Sequence, residues 1–284
     1  MHRTTIAVAS GKGGTGKTTV ATNLAHIASM QGLDVTYLDC DVEEPNGHIF
    51  LKPKIEKTFS VCVSVPAIDQ SKCTACGKCK DICHYSAIAL LAKTVLTFPN
   101  LCHGCGGCML VCPTGAISET KREVGTIEQG AAGAVRFVHG KLRIGEAMSP
   151  PLIREVKKQI PSGGLSIIDA PPGTSCPVIQ SVRGADYVIL VTEPTPFGLN
   201  DLKLAVDMLR VLDLPFGVVV NRADMGDEAV FDYCTSQSID MLAKIPDDRR
   251  IAEAYSKGQL ATQALPEYKD VFTSLLKGIV DVRL

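Results

Sequence analysis

The sequence predicts an α/β fold, a doubly wound and mostly parallel sheet with a small α+β module inserted into it. Three observations point to this fold. Short β-branched apolar runs alternate with helical stretches along most of the chain. A glycine-rich segment separates the first apolar run from the first helix. Finally, eight of the twelve cysteines fall between Cys73 and Cys112, where this alternation is interrupted.

The composition narrows the class of protein. The 284 residues are 45% hydrophobic, which suits a globular chain, and the formal net charge of -1 gives no broad attraction to nucleic acid or to a membrane. The apolar runs are far shorter than the roughly 20 residues that cross a bilayer, so no stable membrane insertion is expected. The first residues show no secretion signal, which favours a cytoplasmic protein.

The alternation can be followed element by element. The first forty residues predict a βαβ unit, and the later apolar runs are typical of strands buried on both faces of a parallel sheet. The last helix is expected to pack on the core, since its net charge is too small for a membrane-surface helix. The predicted strands are Ile6–Ala9, Val35–Leu38, Leu165–Ile168, Tyr187–Val191 and Gly217–Val220. The predicted helices are Thr18–Met30, Cys176–Arg183, Leu199–Leu212, Asp227–Ser236 and Pro266 to about Val280.

The chain is predicted to form two domains, of which the larger is discontinuous. Residues 1–65 and 120–284 carry the strand and helix alternation, and residues 66–119 carry the cysteines. This inserted part consists of two similar halves, each followed by a short apolar segment. Residues 120–148 alternate apolar and polar positions around a glycine-rich stretch, which predicts a hairpin at the junction.

The glycine-rich segment Gly11–Thr18 reads GKGGTGKT and matches the phosphate-binding loop pattern after a strand and at the start of a helix. Its backbone N–H groups can approach an anion, Lys17 can reach the β- and γ-phosphates, and the Thr18 hydroxyl can bind Mg²⁺. The sequence therefore predicts an ATP site. The predicted contacts from this loop are Gly11, Lys12, Gly13, Gly14, Thr15, Gly16, Lys17, Thr18 and Thr19.

The clustered cysteines form two sets with the same spacing, C-x2-C-x2-C-x3-C. Three closely spaced thiolates can bind three corners of one [4Fe-4S] cluster, and the fourth cysteine in such duplicated modules binds the other cluster. A four-cysteine zinc site is the alternative, but the unchanged repeat of the spacing favours clusters. The predicted ligands are Cys73, Cys76, Cys79 and Cys112 for cluster 1, and Cys83, Cys102, Cys105 and Cys108 for cluster 2.

The extra lysine Lys12 makes the loop resemble the deviant Walker family, which includes MinD and ParA positioning ATPases, the nitrogenase iron protein and Mrp-type cluster carriers. The cysteine module resembles bacterial two-cluster ferredoxins, although His84 follows Cys83 where Pro113 follows Cys112. Together these resemblances match MinD-superfamily P-loop ATPases of the SIMIBI type with an inserted ferredoxin domain. They imply that Lys12 contacts nucleotide across a dimer interface, in a homodimer or in a heterodimer with a related subunit.

The resemblance also implies roles for side chains outside the loop. The acidic turn Asp39–Asn46, called switch I below, supplies Asp41 to orient the attacking water. Asp39 is the alternative for this role and is also a candidate to support Mg²⁺. Asp169 ends a buried strand, where it can reach the Mg²⁺ shell. The catalytic candidates are thus Lys12, Lys17 and Asp41, and the magnesium candidates are Thr18, Asp39 and Asp169. The expected contacts with the base are Asn221, Arg222, Pro246 and Asp247.

The remaining cysteines have no set of neighbours. Cys62 and Cys234 are predicted to be small buried side chains. Cys40 lies between the switch I aspartates. Cys176 is interpreted as a buried structural thiol, with a metal, thiol or partner contact as the alternative.

These motifs favour an ATP-gated redox protein in which nucleotide-driven changes of the switches and the dimer alter how the clusters meet a redox partner protein. The first alternative is a MinD-like positioning or regulatory ATPase whose clusters sense redox state. The second is an iron-sulfur cluster carrier. Such carriers resemble Mrp and need a C-terminal CxxC, and none follows Cys112.

Overall fold

The apolar runs of the sequence assemble into one nine-stranded sheet in the order β11-β10-β9-β1-β8-β2-β7-β6-β3. The computed structural model describes residues 3–283, with side chains described as far as Ile279. Met1, His2 and Leu284, which end the predicted domain parts, lie outside the described residues. The strands in this sheet are β1 (Arg3–Ala9), β2 (Val35–Asp39), β3 (Lys54–Ile68), β6 (Ile117–Ala132), β7 (Val135–Leu142), β8 (Gly164–Asp169), β9 (Tyr187–Thr192), β10 (Phe216–Asn221) and β11 (Met241–Ile245).

Helices cover both faces of the sheet. The longest are α1 (Lys17–Met30), α7 (Pro196–Val211) and α11 (Tyr268–Arg283). The others are α2 (Gly47–Leu51), α3 (Lys78–Asp81), α4 (Gly107–Leu110), α5 (Pro150–Lys157), α6 (Cys176–Val182), α8 (Ala229–Ser236), α9 (Arg249–Ser256) and α10 (Ala261–Ala264). None of the helices in the described part of the chain is long and apolar enough to cross a membrane.

The sheet is mostly parallel, as the sequence predicts. β1 pairs in parallel with β8 and β9, and β2 pairs in parallel with β8 and β7. Alternate residues of these strands enter two apolar layers, one on each face, so that Ile6 and Val8 pack on α1 while Ala7 and Ala9 pack on the opposite side. The last helix buries Phe272 and Leu276 in the first of these layers, which confirms that its described part packs on the core.

The junction hairpin is present, but it begins and ends earlier than predicted, over residues 117–142, and it has a third strand. β6 and β7 pair in antiparallel fashion, and β6 also pairs along nearly its whole length with β3. The sequence analysis missed β3. The first half of this strand, Lys54–Ser60, is exposed at every residue, so it has no alternation of buried and exposed positions that could reveal it.

The cysteine-rich segment lies at the far end of the β3–β6 pair. It contains α3, α4 and a separate hairpin of β4 (Ile88–Leu91) and β5 (Thr94–Thr97). Its apolar centre is small and includes Ile88, Val95 and Ile117. Both β3 and β6 run across the predicted boundaries at residues 65–66 and 119–120, so the backbone enters and leaves this module through continuous strands rather than through linkers.

Candidate nucleotide site and cluster sites

The phosphate-binding loop connects the end of β1 to the start of α1. Gly14 and Gly16 have φ values of 82° and 96°, which lie in the left-handed region that favours glycine. Gly11 is confined for a different reason, because a Cβ there would lie 2.2 Å from the carbonyl oxygen of Asp201. The spaced glycines of the motif are therefore needed both for the backbone path and for close contact with α7.

A cavity of about 400 Å³ opens beside this loop. It is bounded by the loop, by switch I, and by residues after β10 and β11. Most of the nucleotide and catalytic candidates line it, whereas others lie outside its wall. The lining candidates are Gly13, Gly14, Gly16, Lys17, Thr18, Thr19, Asp41, Asn221, Arg222, Pro246 and Asp247. Those outside the lining are Gly11, Lys12, Thr15, Asp39 and Asp169.

The order of the strands brings two carboxylates together at the edge of this cavity. β8 lies between β1 and β2, and Asp39 and Asp169 are directly opposite each other in register. Both are 1% exposed. One oxygen of Asp169, Oδ2, accepts a hydrogen bond of 2.9 Å from the Tyr37 hydroxyl, while Oδ1 is buried without a hydrogen-bond partner among the described residues. An unpaired buried carboxylate oxygen fits a ligand of Mg²⁺, which prefers oxygen.

Asp39 has a different environment from Asp169. Its two oxygens accept hydrogen bonds from the backbone N–H groups of Gly47, at 2.9 Å, and Asp41, at 3.1 Å. These contacts shape switch I. Gly47 is required here, since a Cβ at this position would lie 2.4 Å from the Tyr37 hydroxyl oxygen.

The carboxylates of this site have raised pKa values. The pKa of Asp41 is raised to about 6, mainly by burial and also by the nearby carboxylates Asp169 and Glu43, while Lys17 opposes the shift. Burial is also the main reason that the pKa values of Asp39 and Asp169 are raised. A bound cation would favour the ionised form of all three carboxylates. The grouping therefore suits a site that is completed by a metal ion.

The residues predicted to contact the base are arranged around the loop in a way that the sequence analysis did not anticipate. The Asn221 amide donates a hydrogen bond of 3.0 Å to the carbonyl oxygen of Thr15, so it fixes the phosphate-binding loop. Arg222 has a left-handed backbone, φ 52°, and pairs with Glu193 at 3.0 Å and with Asp247 at 3.5 Å. Both side chains line the cavity, but each already has protein partners.

Several residues at the site were not predicted. One of them, Tyr37, contacts Asp169 without lining the cavity. Tyr37 is hidden in a buried apolar run, and nothing in that run shows that its hydroxyl faces Asp169. Tyr255 lies on α9, packs against Phe50 with ring centroids 4.6 Å apart, and reaches the cavity from a distant part of the sequence. The other unpredicted lining residues are Glu44, Asn46, Pro172, Ile245, Asp248, Ile251, Ala252, Ala261 and Phe272.

In the module, the structure brings each predicted cysteine set around its own cavity. The cavity of the first set is small, about 20 Å³, and that of the second is about 270 Å³. Cys73, Cys76, Cys79 and Cys112 line the first, and Cys83, Cys102, Cys105 and Cys108 line the second. Among the residues that the structure describes, no group of three or more His, Cys, Asp or Glu side chains could hold a single metal ion.

The backbones of the two halves repeat each other. Positive φ angles occur at three matching pairs of positions, and the members of every pair are separated by the same interval along the chain. The pairs are Ala75 with Gly104, Gly77 with Gly106, and Ser86 with Gly115. Two of these positions are not glycine, so the backbone path is imposed by the rest of the half rather than by glycine alone.

The thiol groups receive hydrogen bonds from the backbone. The N–H groups of Ala75 and Gly104 donate to the sulfur atoms of Cys73 and Cys102, each at 3.4 Å, and the N–H of Ala116 donates to Cys112 at 3.3 Å. Burial raises the pKa of Cys112, but backbone N–H groups, including that of Ala116, outweigh burial and leave it lowered. Such donors stabilise thiolates, so the donor set fits iron-sulfur clusters.

The two cavities have different surroundings. The Tyr85 and His103 rings are stacked with centroids 3.5 Å apart beside the second cavity. At the first cavity the matching positions are Thr114 and Thr74. The duplication of the sequence has thus produced two sites with equivalent ligands but different walls.

The remaining cysteines differ from the predictions in two places. Cys234 and Cys40 are buried, but Cys62 and Cys176 are exposed. Cys62 was predicted to be buried and instead lies on β3. Cys176 was interpreted as a buried thiol, but it is the first residue of α6, where the helix start faces outward.

Comparisons with known proteins agree with the fold. The model of the CobQ/CobB/MinD/ParA nucleotide binding domain matches residues 6–261. An uncharacterized protein of Methanocaldococcus jannaschii is 35% identical to this chain, over 78% of this chain and 79% of its own. A second uncharacterized protein of the same organism is 31% identical, over 89% of this chain and 90% of its own. An iron-sulfur cluster carrier protein of Pyrococcus abyssi is 26% identical over 89% and 77%.

Among solved structures, the chain is similar to the septum site-determining protein MinD of Pyrococcus horikoshii, determined as a complex with Mg-ADP. The TM-score is 0.62 at 21% identity, with 98% of this chain and 96% of that chain covered. MinD of Pyrococcus furiosus gives a TM-score of 0.60 at 22% identity, over 99% and 100%. At these identities the likeness shows the fold alone.

Proposed function

Since the chain belongs to the CobQ/CobB/MinD/ParA family of nucleotide-binding domains, we propose that it is a Mg²⁺-dependent ATPase that couples nucleotide-driven changes to electron transfer through two [4Fe-4S] clusters. The observation that carries this proposal is the continuity of the sheet. β6 runs from the cysteine module to β7, β7 pairs with β2, and β2 ends at Asp39 beside the nucleotide cavity. The two candidate sites therefore share one β structure.

The side chains around the cavity suit phosphoryl transfer to water. Lys17 is 7% exposed and lines the cavity, so its charge can act on phosphates in a partly desolvated place. Asp41 lines the same cavity, where it would orient the attacking water. Thr18 and Asp169 would hold Mg²⁺. When bound, this ion would neutralise charge on the phosphate oxygens. The Mg-ADP complex of the similar MinD from Pyrococcus horikoshii supports a nucleotide in this fold.

The position of Lys12 supports a dimer as the active form. It is part of the loop but does not line the cavity of its own chain, which agrees with a contact to nucleotide across an interface. Two relatives of this chain occur in one organism, Methanocaldococcus jannaschii, so either a homodimer or a heterodimer of related subunits suits the family. The electrons would pass to or from a separate redox partner protein.

The experiment that tests this proposal is an anaerobic titration of the clusters by electron paramagnetic resonance, with iron and sulfide counts, with and without Mg-ATP. Two four-iron clusters require about eight irons per chain. We expect nucleotide to change the signal or the potential of the reduced clusters only when Lys17 is intact, with Lys17→Ala as the control. Clusters that ignore nucleotide would contradict electron gating and would favour the redox-sensing positioning ATPase.

A cluster carrier is a second candidate, because several relatives at 24–26% identity are named iron-sulfur cluster carrier proteins. This chain has no CxxC after Cys112 to hold a transferable cluster. A transfer assay separates the two functions. Incubation of the loaded protein with an apo-ferredoxin should leave its eight irons in place if the clusters are resident, whereas loss of iron to the acceptor would favour the carrier.

A further inference from the structure

The coil between β7 and α5 contacts switch I at both of its ends. At its start, the backbone N–H of Leu142 donates to the carbonyl oxygen of Val42 at 2.8 Å. At its end, the Ser149 hydroxyl donates to Glu43 Oε1 at 2.9 Å. Val42 also packs tightly on β7, because a Cβ at Gly140 would lie 2.7 Å from its side chain. Residues 142–149, called the bridging segment below, are therefore attached to switch I by hydrogen bonds and by packing.

The same segment contacts the cysteine module. The Arg143 guanidinium donates to Asn100 Oδ1 in the module at 3.4 Å, while its backbone N–H donates to the carbonyl oxygen of Val124 on β6, outside the module, at 2.9 Å. Asn100 lies in a short 3₁₀ turn, Pro99–Leu101, that leads directly into Cys102. Cys102 is one of the four thiols around the second cavity. A single segment thus reaches from switch I to the backbone that positions the second cysteine set.

A buried ion pair fastens the middle of the bridging segment to the strand that enters the module. Arg122 of β6 and Glu146 are 9% and 1% exposed, and the Glu146 carboxylate also accepts from the backbone N–H of Met148 at 3.3 Å. Removal of one partner would leave a buried charge without compensation, so the pair resists opening. The register of the β3–β6 pair shifts close by, between Val61 and Cys62, so the pairing of these two strands is irregular at this place.

We infer that the bridging segment transmits the nucleotide state of switch I to the second cluster site and so makes the second set, rather than the first, the nucleotide-responsive one. This inference rests on the proposed function. When nucleotide and Mg²⁺ reposition Asp41, the adjoining Val42 and Glu43 move with it. Leu142 and Ser149 follow through their hydrogen bonds, and Arg143 carries the change to Asn100 and Cys102. The link to the first set is longer, because it runs from Glu146 to Arg122 and then along β6 to Ala116, whose N–H donates to Cys112.

Two substitutions can break this route without touching the nucleotide cavity. Ser149→Ala removes the donor to Glu43, and because the Ser149 side chain makes no capping hydrogen bond at the start of α5, that helix should be unaffected. Arg143→Ala removes the contact with Asn100 and also an ion pair of 3.8 Å with Glu146, which keeps Arg122 as its partner. The Arg143 side chain is 44% exposed, so its loss leaves no cavity. Arg136→Ala is the matched control, since Arg136 is an exposed arginine near the start of β7, the strand that Arg143 follows.

Hydrogen–deuterium exchange of the iron-loaded protein, followed by mass spectrometry, tests the route directly. The reporter amides are those of Leu142, Leu101 and Cys102, which all donate backbone hydrogen bonds. We expect Mg-ATP to slow exchange in peptides covering residues 40–46, 142–149 and 99–102. In Ser149→Ala and Arg143→Ala, the slowing of exchange at residues 99–102 should be smaller by about threefold or more, while the slowing at residues 40–46 stays as in the wild type. In Arg136→Ala, both peptides should respond as in the wild type.

The outcomes separate this inference from the proposed function. An unchanged response at 99–102 in both variants, or a bridging segment that ignores Mg-ATP while switch I responds, would overturn the route. If the exchange route is present but the paramagnetic signals ignore nucleotide, the route stands and electron gating is wrong. If the signals respond, their change should be confined to the second cluster, and a response confined to the first cluster would again overturn the inference.

Discussion

The nucleotide site and the cysteine module are built in opposite ways. The nucleotide site collects side chains from the ends of β1, β2, β8, β10 and β11, and two of its carboxylates, Asp39 and Asp169, are almost completely buried. The cysteine module draws its eight thiols from forty consecutive positions, and most of them are partly or fully exposed. The first site depends on the large core, whereas the second has an apolar centre too small to fold well without further support.

This difference has a physical consequence for how each site responds to change. A module with little core is expected to take part of its stability from the metal that it binds, because binding free energy becomes folding free energy. The nucleotide site is held in shape by the sheet before any ligand arrives. Substitution of a side chain that binds the ligand should therefore abolish function at the nucleotide site, whereas at the module it should also destabilise the fold.

The largest effect is expected from Lys17→Ala. This substitution removes the buried cation that lines the cavity, and ATP hydrolysis should fall by about 100- to 1,000-fold with unchanged iron content. Lys12→Ala is the matched comparison, since Lys12 does not line the cavity. We expect it to keep nucleotide binding to the monomer but to lose hydrolysis and ATP-dependent dimerisation, as measured by calorimetry and light scattering. Loss of monomer binding in Lys12→Ala would contradict a role across the dimer interface.

Substitution of one cysteine that binds a cluster should remove about half of the iron. If the fourth cysteines are crossed between the halves, Cys112→Ser should give the same residual paramagnetic spectrum as Cys79→Ser. Cys83→Ser should in turn match Cys108→Ser. The control is Cys62→Ser, which changes an exposed thiol outside both cavities and should keep all the iron. A Cys112→Ser spectrum that matches Cys108→Ser would show that the sets are not crossed.

Tyr37→Phe should have a moderate effect on the magnesium site. The Tyr37 hydroxyl donates a hydrogen bond to Oδ2 of Asp169, while Oδ1 has no hydrogen-bond partner among the described residues. Removal of this hydrogen bond leaves the carboxylate free to rotate. A typical hydrogen bond contributes about 1 kcal/mol, which predicts a loss of Mg²⁺ affinity of about fivefold. A Mg²⁺ titration of ATP binding measures it. Binding of nucleotide without Mg²⁺ should not change in Tyr37→Phe. It should also not change in Tyr255→Phe, which alters a side chain at the cavity wall.

The smallest effect concerns the pH dependence of stability. The pKa of Asp41 is raised to about 6, and those of Asp39 and Asp169 are also raised, so the folded chain binds these protons more tightly than the unfolded chain. Stability without Mg²⁺ should therefore increase as the pH falls from about 8 towards 6, with a rise in Tm of roughly 2–4 °C. Differential scanning calorimetry measures it. Asp41→Asn should reduce this rise, and a Tm that falls over this range in both proteins would contradict the assignment.

Sequence alone was sufficient where the signal is local. The strand and helix alternation, the phosphate-binding loop and the cysteine spacing each lie within a short stretch, and the spacing itself decides which groups can share one ligand. This is why the mostly parallel fold was predicted correctly and why each predicted cysteine set lines a cavity of its own. The family resemblance placed Asp169 and Asn221 beside the loop, but it did not show that the Asn221 amide is used to hold Thr15.

Only the tertiary structure decided which distant residues meet. The Tyr37 hydroxyl faces Asp169 because β2 and β8 are neighbours in a particular register, and no pattern within the run VTYLD reveals that register. The exposed first half of β3 and the bridging segment carry no periodicity, so their contacts appear only when the chain is folded. Local spacing fixes chemistry that a few consecutive residues can perform, whereas contacts between elements depend on strand order and on packing, which are properties of the whole chain.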